Sequence, residues 1–143
     1  MIACVLYPRF ALLAALEGRG ELLSAPAALA PEPGGRQLVG EVSASAEAFG
    51  IVAGMRVGEA LARCPELRLV PPDPEGVRSA WGRVLDRLAG IGADCESDSP
   101  GQAFFGVDGL RGIHGGVDGV LGAARGVLGR TARLGCAPSR FAA

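Results

Sequence analysis

Apolar residues recur along this chain with the periods typical of strands and of helices. A continuous apolar run from Ile2 to Tyr7 predicts a buried strand, which leads into a short helix near Phe10 to Glu17. The segments Ala93 to Asp98 and Gln102 to Val107 predict two further strands. Because a Ser-Pro-Gly turn at residues 99–101 separates them, we expect these two strands to form a hairpin.

The strongest helical pattern begins at Pro74. Asp73 is a candidate N-cap, and Pro74 suits the first helical position because that position needs no amide donor. The apolar residues that follow recur at helical spacing and form one face. They are Val77, Trp81, Val84, Leu85, Leu88 and Ile91.

A second long helix is predicted by an apolar stripe that starts at Val117 and ends at Leu128. The segment also contains glycines at positions 119, 122 and 126, and another glycine follows it at position 129. Each glycine inside a helix costs about 0.5–1 kcal/mol relative to alanine. We therefore expect tertiary packing to hold this helix together.

The remaining segments are shorter. Gln37 to Ser43 and Thr131 to Cys136 predict strands, and Val57 to Cys64 predicts a helix. When residues 19–75 are set aside, the order is strand, helix, helix, strand, strand, helix, strand. This order predicts an α/β (α+β) domain with a ferredoxin-like antiparallel sheet that carries helices on one face.

Composition narrows the classes of function. A chain of 143 residues suits one domain or two small ones, and 49% apolar with 20% charged residues indicates a globular protein. The net charge of −1 disfavours a strongly basic nucleic-acid-binding face. All 14 basic residues are arginine, which excludes a Schiff-base lysine and a P-loop lysine.

Cysteine and N-terminal patterns point to a reducing compartment. Cys4, Cys64, Cys95 and Cys136 lie far apart, and the single histidine is His114, so no zinc site can be read. We expect the cysteines to be small buried hydrophobic residues. The apolar N-terminus lacks a preceding basic segment and is interrupted by a proline, which disfavours a signal peptide or a membrane span. We expect a cytoplasmic protein.

The chain resembles a known family over essentially its whole length. The specific part of this resemblance lies in two segments, Phe49 to Asp73 and Gly135 to Ala143. A Gly-x-x-x-Gly-Met turn at residues 50–55 leads into a helix with Glu-Ala-Leu and Cys-Pro-Glu-Leu, then a short apolar strand and Pro-Pro-Asp. This order resembles the Y-family DNA polymerases. The resemblance implies a polymerase palm with an inserted small fingers subdomain. Residues 1–18 would be the first part of the palm, 19–75 the fingers-like subdomain, and 76–143 the second, C-terminally truncated part of the palm.

The resemblance also implies where metal-binding carboxylates should stand. The family places one Asp at the end of the first strand, where this chain has Pro8, and a further Asp usually follows, where it has Phe10. An Asp-Glu pair in the hairpin falls on Gly101 and Gln102. Two-metal catalysis needs oxygen anions at both ends of the site. We therefore expect no catalytic residue, no metal site and no cofactor.

Nucleotide-contacting positions are altered as well. The family's ribonucleotide-excluding aromatic corresponds to Leu13, and its triphosphate-gripping Tyr and Arg correspond to Ala44 and Glu47. A carboxylate at the latter position would repel a triphosphate. Arg140 matches a basic residue of the family and is the remaining candidate for a phosphate contact.

An intact frame without carboxylates resembles the ImuB-type proteins, inactive Y-family homologues associated with damage-induced translesion synthesis in bacteria. The resemblance implies an adaptor whose full-length form contacts a sliding clamp, an accessory protein and an error-prone polymerase, with weak or indirect DNA binding by this chain. Two alternatives stay open. One is an active Y-family nucleotidyltransferase with displaced ligands such as Asp98 or Asp108, and the other is an unrelated ferredoxin-like binding domain.

Overall fold

The computed structural model describes residues 1–16 and 24–143, and these form two compact units. The sheet unit comprises Met1–Pro8 and Arg78–Ala143, and the inserted unit comprises Arg9–Val77. The elements in chain order are β1 Ile2–Leu6, α1 Phe10–Ala15, β2 Ala27–Leu29, α2 Ala44–Glu47, α3 Val57–Arg63, β3 Arg68–Val70, α4 Pro74–Gly90, β4 Cys95–Ser99, β5 Gln102–Gly106, a 3-10 turn Asp108–Leu110, α5 Arg111–His114, α6 Val117–Leu128 and β6 Arg133–Ala137.

The sheet unit contains a four-stranded sheet in the order β4-β5-β1-β6. Every neighbouring pair is antiparallel, with Ala3 of β1 opposite Phe105 of β5 and Cys136 of β6. The register of β4 on β5 shifts between Glu96 and Ser99, which marks a bulge in the edge strand. The predicted antiparallel sheet and its four strands are confirmed, with end points that differ by one or two residues.

Trp81 connects the long helix α4 to the sheet. Its side chain is buried, and its indole Nε1 donates a hydrogen bond of 2.8 Å to the Ser97 hydroxyl of β4. The Tyr7 ring, just after β1, meets the Trp81 ring edge to face at a centroid distance of 6.2 Å. The Tyr7 hydroxyl in turn donates to the Leu128 carbonyl at the end of α6. These two aromatic residues therefore join both long helices to the sheet.

Helix α6 begins in a tight glycine-rich turn. Gly115 and Gly116 both have positive φ, which side chains rarely adopt. A Cβ at Gly119 would collide with the His114 carbonyl oxygen, so this glycine permits a close approach of the backbone. Gly122, one turn further on, faces open space. The predicted helix is confirmed over Val117–Leu128.

The inserted unit has its own core. Its strands β2 and β3 pair in parallel, a small sheet that the sequence pattern did not predict. One buried cluster gathers around Ile51, Ala60 and Cys64, and another around Leu12 and Leu16. The Asp73 cap of α4 is confirmed, because its Oδ1 accepts a 3.0 Å hydrogen bond from the Gly76 amide.

The predicted strand Gln37–Ser43 is wrong. Its first half hydrogen-bonds to residues 54–57, through Val39 and Gln37, whereas its second half bonds to β2 through Gly40 and Ser43. Because the segment changes partners midway, only isolated bridges form in place of a continuous ladder. The predicted helix near Phe10–Glu17 is present as α1, and its expected last residue lies outside the described part of the chain, as does the expected boundary between residues 18 and 19.

Helices in residues 1–16 and 24–143 are all too short or too polar to cross a membrane. Two of the four cysteines, Cys4 and Cys64, are buried as expected. Cys95 and Cys136 are only half-buried, which corrects that expectation for these two. Both lie on strands of the sheet unit.

Replacing Trp81 by alanine is predicted to lower the free energy of unfolding by about 3–5 kcal/mol, because a large buried aromatic is lost. Urea unfolding followed by circular dichroism measures this change. Arg83→Ala in the same helix is the control, and it should change the free energy by no more than about 0.5 kcal/mol because Arg83 is exposed. A red-shifted, readily quenched emission of Trp81 in the wild-type protein would contradict its burial.

Two glycine-to-alanine substitutions in α6 are predicted to act in opposite directions. Gly122→Ala should stabilise the protein by about 0.5–1 kcal/mol, since alanine is the better helix former and nothing obstructs its methyl group. Gly119→Ala should destabilise it, because the methyl group would collide with the His114 carbonyl. Thermal unfolding of the matched pair measures both effects, and an equal rise in Tm for both variants would refute the close approach at Gly119.

Candidate functional site

The end of β1 lies against the start of β5 in the sheet unit. Leu6 is directly opposite Gln102, and the Tyr7 amide donates a 2.7 Å hydrogen bond to the Gly101 carbonyl. Pro8, the next residue, is half-buried, whereas Gln102 is exposed. Three of the four expected metal-site positions therefore lie together at the edge of the sheet where β1 ends and β5 begins. They are Pro8, Gly101 and Gln102. The fourth, Phe10, is buried at the start of α1 in the inserted unit.

None of these side chains supplies an oxygen anion. Pro8 has no polar side-chain atom, and the Gln102 amide is uncharged. Gly101 is buried with φ of 98°, a conformation that favours glycine. In residues 1–16 and 24–143, no three His, Cys, Asp or Glu side chains are grouped so that they could hold a metal ion. Hard divalent cations prefer several oxygen ligands, and this edge offers one neutral amide oxygen.

The two carboxylates considered as displaced ligands are solvent-exposed and paired. The Asp98 side chain is 94% exposed and lies 3.5 Å from Arg140 Nη2. The Asp108 side chain is 71% exposed and contacts the N-terminal amine at 3.4 Å and Arg111 at 3.2 Å. Both are therefore solvated surface carboxylates with cationic neighbours.

Arg140 is engaged by its own unit. Its guanidinium lies 3.3 Å from Glu96 and 3.5 Å from Asp98, and its central carbon is 4.4 Å from the centre of the Phe104 ring. An arginine over an aromatic face with carboxylate partners is a favourable arrangement for its charge. A phosphate group would have to compete with these contacts.

Two shifted pKa values lie in the sheet unit. Burial raises the pKa of the Tyr7 phenol, and the guanidinium groups of Arg87 and Arg125 oppose part of this rise. Burial and the neighbouring Asp94 carboxylate raise the pKa of the Cys95 thiol. Both groups are therefore kept in their neutral forms, which for Cys95 is the unreactive thiol.

The positions expected to contact a nucleotide lie on α1 and α2 of the inserted unit, and a buried serine caps α2. Ser43 caps α2, with its Oγ 3.2 Å from the Ala46 amide and 3.0 Å from the Ala27 amide of β2. Ala44 begins α2 and is exposed, and Glu47 ends it. Leu13, the position of the expected aromatic, is half-buried on α1. Ser43 therefore fixes the short helix that carries two of the predicted site positions.

The sequence did not single out Arg9, which the structure pairs with Glu47, one of the expected nucleotide-contacting positions. Arg9 is the one non-glycine residue with positive φ in the described ranges, at 58°. Its Nε donates a 2.9 Å hydrogen bond to the Val42 carbonyl, and its Nη2 lies 2.9 Å from Glu47 Oε1. Glu41, which directly precedes Val42, accepts a 3.2 Å hydrogen bond from the Leu12 amide with its Oε1. The signal available in the sequence was an arginine directly after Pro8. This feature is too common to be diagnostic.

Comparison with known proteins places this geometry in context. A family model described as the impB/mucB/samB family matches residues 7–143. No curated protein sequence matches the chain at a significant level.

Several solved structures share the fold. A post-insertion binary complex of Dbh DNA polymerase superposes with a TM-score of 0.83 at 21% identity, covering 100% of this chain and 44% of that one. DinB from Sulfolobus solfataricus gives 0.80 at 19% identity, with the same coverage. A Y-family polymerase chimera, Dbh-Dpo4(243-245)-Dbh, gives 0.80 at 19% identity, covering 98% of this chain and 43% of the other. The chain therefore spans less than half the length of the structures it matches.

Ser43→Ala is predicted to cost about 1–3 kcal/mol of unfolding free energy, because two buried amides lose their acceptor. Chemical denaturation measures the cost. Ser45→Ala, in the same short helix but with a hydroxyl whose bond to the Ser24 carbonyl is exposed, is the matched control and should stay within about 0.5 kcal/mol. Equal effects of the two substitutions would show that Ser43 is not the anchor of α2.

Proposed function

Since the chain belongs to the impB/mucB/samB family and has the Y-family DNA polymerase palm fold, we propose that it is a non-catalytic, ImuB-type member of that family. Its place would be in damage-induced translesion DNA synthesis in bacteria. There it would act as an adaptor and not as the polymerase itself.

The observation that carries this proposal is the edge formed by Pro8, Gly101 and Gln102. The hydrogen bond from Tyr7 to Gly101 keeps the end of β1 against β5, so the frame that would support a metal site is present. The residues at that frame carry no negative charge. Phosphoryl transfer by two metal ions depends on carboxylates that hold the ions between the attacking and leaving oxygens. Without them, this edge has no means to position the metals.

Charge compensation elsewhere supports the same conclusion. Arg140 already pairs with Glu96 and Asp98, and Glu47 stands where the family has a phosphate-gripping arginine. With a net charge of −1, the chain also lacks an excess of cations to attract DNA. DNA binding by residues 1–143 would accordingly be weak or indirect. A full-length adaptor would use protein partners of the kind found in a mutasome: a sliding clamp, an accessory protein and an error-prone polymerase.

Metal titration tests the proposal. Calorimetry with Mg²⁺ and with Mn²⁺ is expected to show no stoichiometric site in the wild-type protein, and primer extension with either metal is expected to be absent. The variant Pro8→Asp, Gly101→Asp, Gln102→Glu should gain weak Mn²⁺ affinity, because three oxygen ligands would then meet at one edge. The Asp at position 101 must adopt a left-handed conformation, which costs about 1–2 kcal/mol of stability.

A control variant carries the same three added charges at exposed positions elsewhere in the sheet unit: Ala89→Glu, Thr131→Glu and Ser139→Glu. It should gain no comparable affinity. A stoichiometric low-micromolar metal site in the wild-type protein, or metal-dependent primer extension by its longest native form, would exclude a non-catalytic role. If the edge variant binds Mn²⁺ no better than the control, the assignment of the metal-site positions is wrong.

A further inference from the structure

Two carboxylates of the inserted unit reach the residues around the start of α1. Glu47 Oε1 lies 2.9 Å from Arg9 Nη2, and Glu41 Oε1 lies 3.2 Å from the Leu12 amide. The two acids come from opposite ends of one short segment, and Ser43 between them is 1% exposed and hydrogen-bonded on several sides. The segment that carries both carboxylates is therefore anchored at Ser43.

The backbone of Arg9 adopts an unfavourable left-handed conformation, with φ of 58°. A left-handed conformation costs a non-glycine residue about 1–2 kcal/mol, and it persists where surrounding contacts fix it. Here the Nε bond to the Val42 carbonyl and the Nη2 pair with Glu47 provide that fixation. The Arg9 side chain is 28% exposed, so its guanidinium is reachable from solvent and is occupied by an anion of the same chain.

We propose that Glu47 is an intramolecular substitute for an anionic ligand of Arg9. It closes this corner of the inserted unit to phosphate groups. This proposal rests on the proposed non-catalytic function, and it identifies Glu47 as the group that takes the place of a phosphate anion at Arg9. Removing the Glu47 charge should then uncover a site for phosphate anions at Arg9, because a guanidinium binds phosphate with the same donors that it offers to a carboxylate.

Titration with inorganic tripolyphosphate, in EDTA and at fixed ionic strength, tests this proposal by calorimetry. The wild-type protein is expected to show no saturable binding. Glu47→Gln should bind tripolyphosphate saturably, at least about fivefold more tightly than the detection limit that bounds the wild type, since an attractive charge is exposed and a repulsive one is removed. The gain should disappear in the double variant Glu47→Gln, Arg9→Gly, in which glycine accepts the left-handed conformation without strain.

Glu59→Gln is the matched control. Glu59 lies in the same unit, its side chain is 53% exposed like that of Glu47, and it pairs with Arg63 at 3.5 Å. It changes the net charge by the same amount and should give no comparable gain. Equal gains for Glu47→Gln and Glu59→Gln would reduce the effect to net charge and overturn the proposal. A Glu47→Gln variant that is folded by circular dichroism and gains nothing would also overturn it.

Two further results complete the test. If Glu47→Gln does not fold, Glu47→Ala takes its place, because alanine also removes the charge that pairs with Arg9 and is a good helix former. It should then bind tripolyphosphate more tightly than Glu59→Gln, and no gain would overturn the proposal. The wild type could instead bind tripolyphosphate saturably, with Arg9→Gly abolishing the binding. That result would show that the site is already open to phosphate groups, and it would overturn the proposal. Because these titrations contain no divalent metal, their outcome is independent of the metal and primer-extension tests of the proposed function.

Discussion

The hydrogen bond from the Tyr7 amide to the Gly101 carbonyl is the constraint on which the rest of the sheet unit depends. It continues the β1–β5 ladder by one residue beyond the strand and leaves Pro8 beside the hairpin turn. The Tyr7 side chain uses the same position to contact Trp81 and the end of α6. One residue thus joins the central strand, both long helices and the edge that holds three of the expected metal-site positions.

Each unit contains an arginine near the expected site positions that pairs with carboxylates of the same unit. Arg140 lies between Glu96, Asp98 and the Phe104 ring, and Arg9 pairs with Glu47. Such pairs near the surface contribute little stability individually, about 0–1 kcal/mol. Their larger effect is on recognition, because a guanidinium that already has an anionic partner is a weaker site for a phosphate. The physical picture is of a Y-family palm fold in which Arg9 and Arg140 already have anionic partners.

Periodicity predicted the elements that have one face against a core. The stripes of α4 and α6 and the Ser-Pro-Gly hairpin were confirmed because a single burial pattern runs through each of them. Gln37–Ser43 was misjudged because its extended residues bond to two different segments, which no local pattern encodes. The strand β2 was missed because three alanine and leucine residues carry too weak a signal for a strand.

The sequence by itself determined the antiparallel sheet, its long helices and the uncharged residues at the expected metal positions, because side-chain chemistry and local periodicity are properties of the chain. Tertiary structure decided which of those positions meet. Pro8, Gly101 and Gln102 share an edge through strand register, which is set by long-range hydrogen bonds. The pairing of Arg9 with Glu47 likewise needed the fold, since a strained backbone and a buried serine place two residues together that are 38 positions apart.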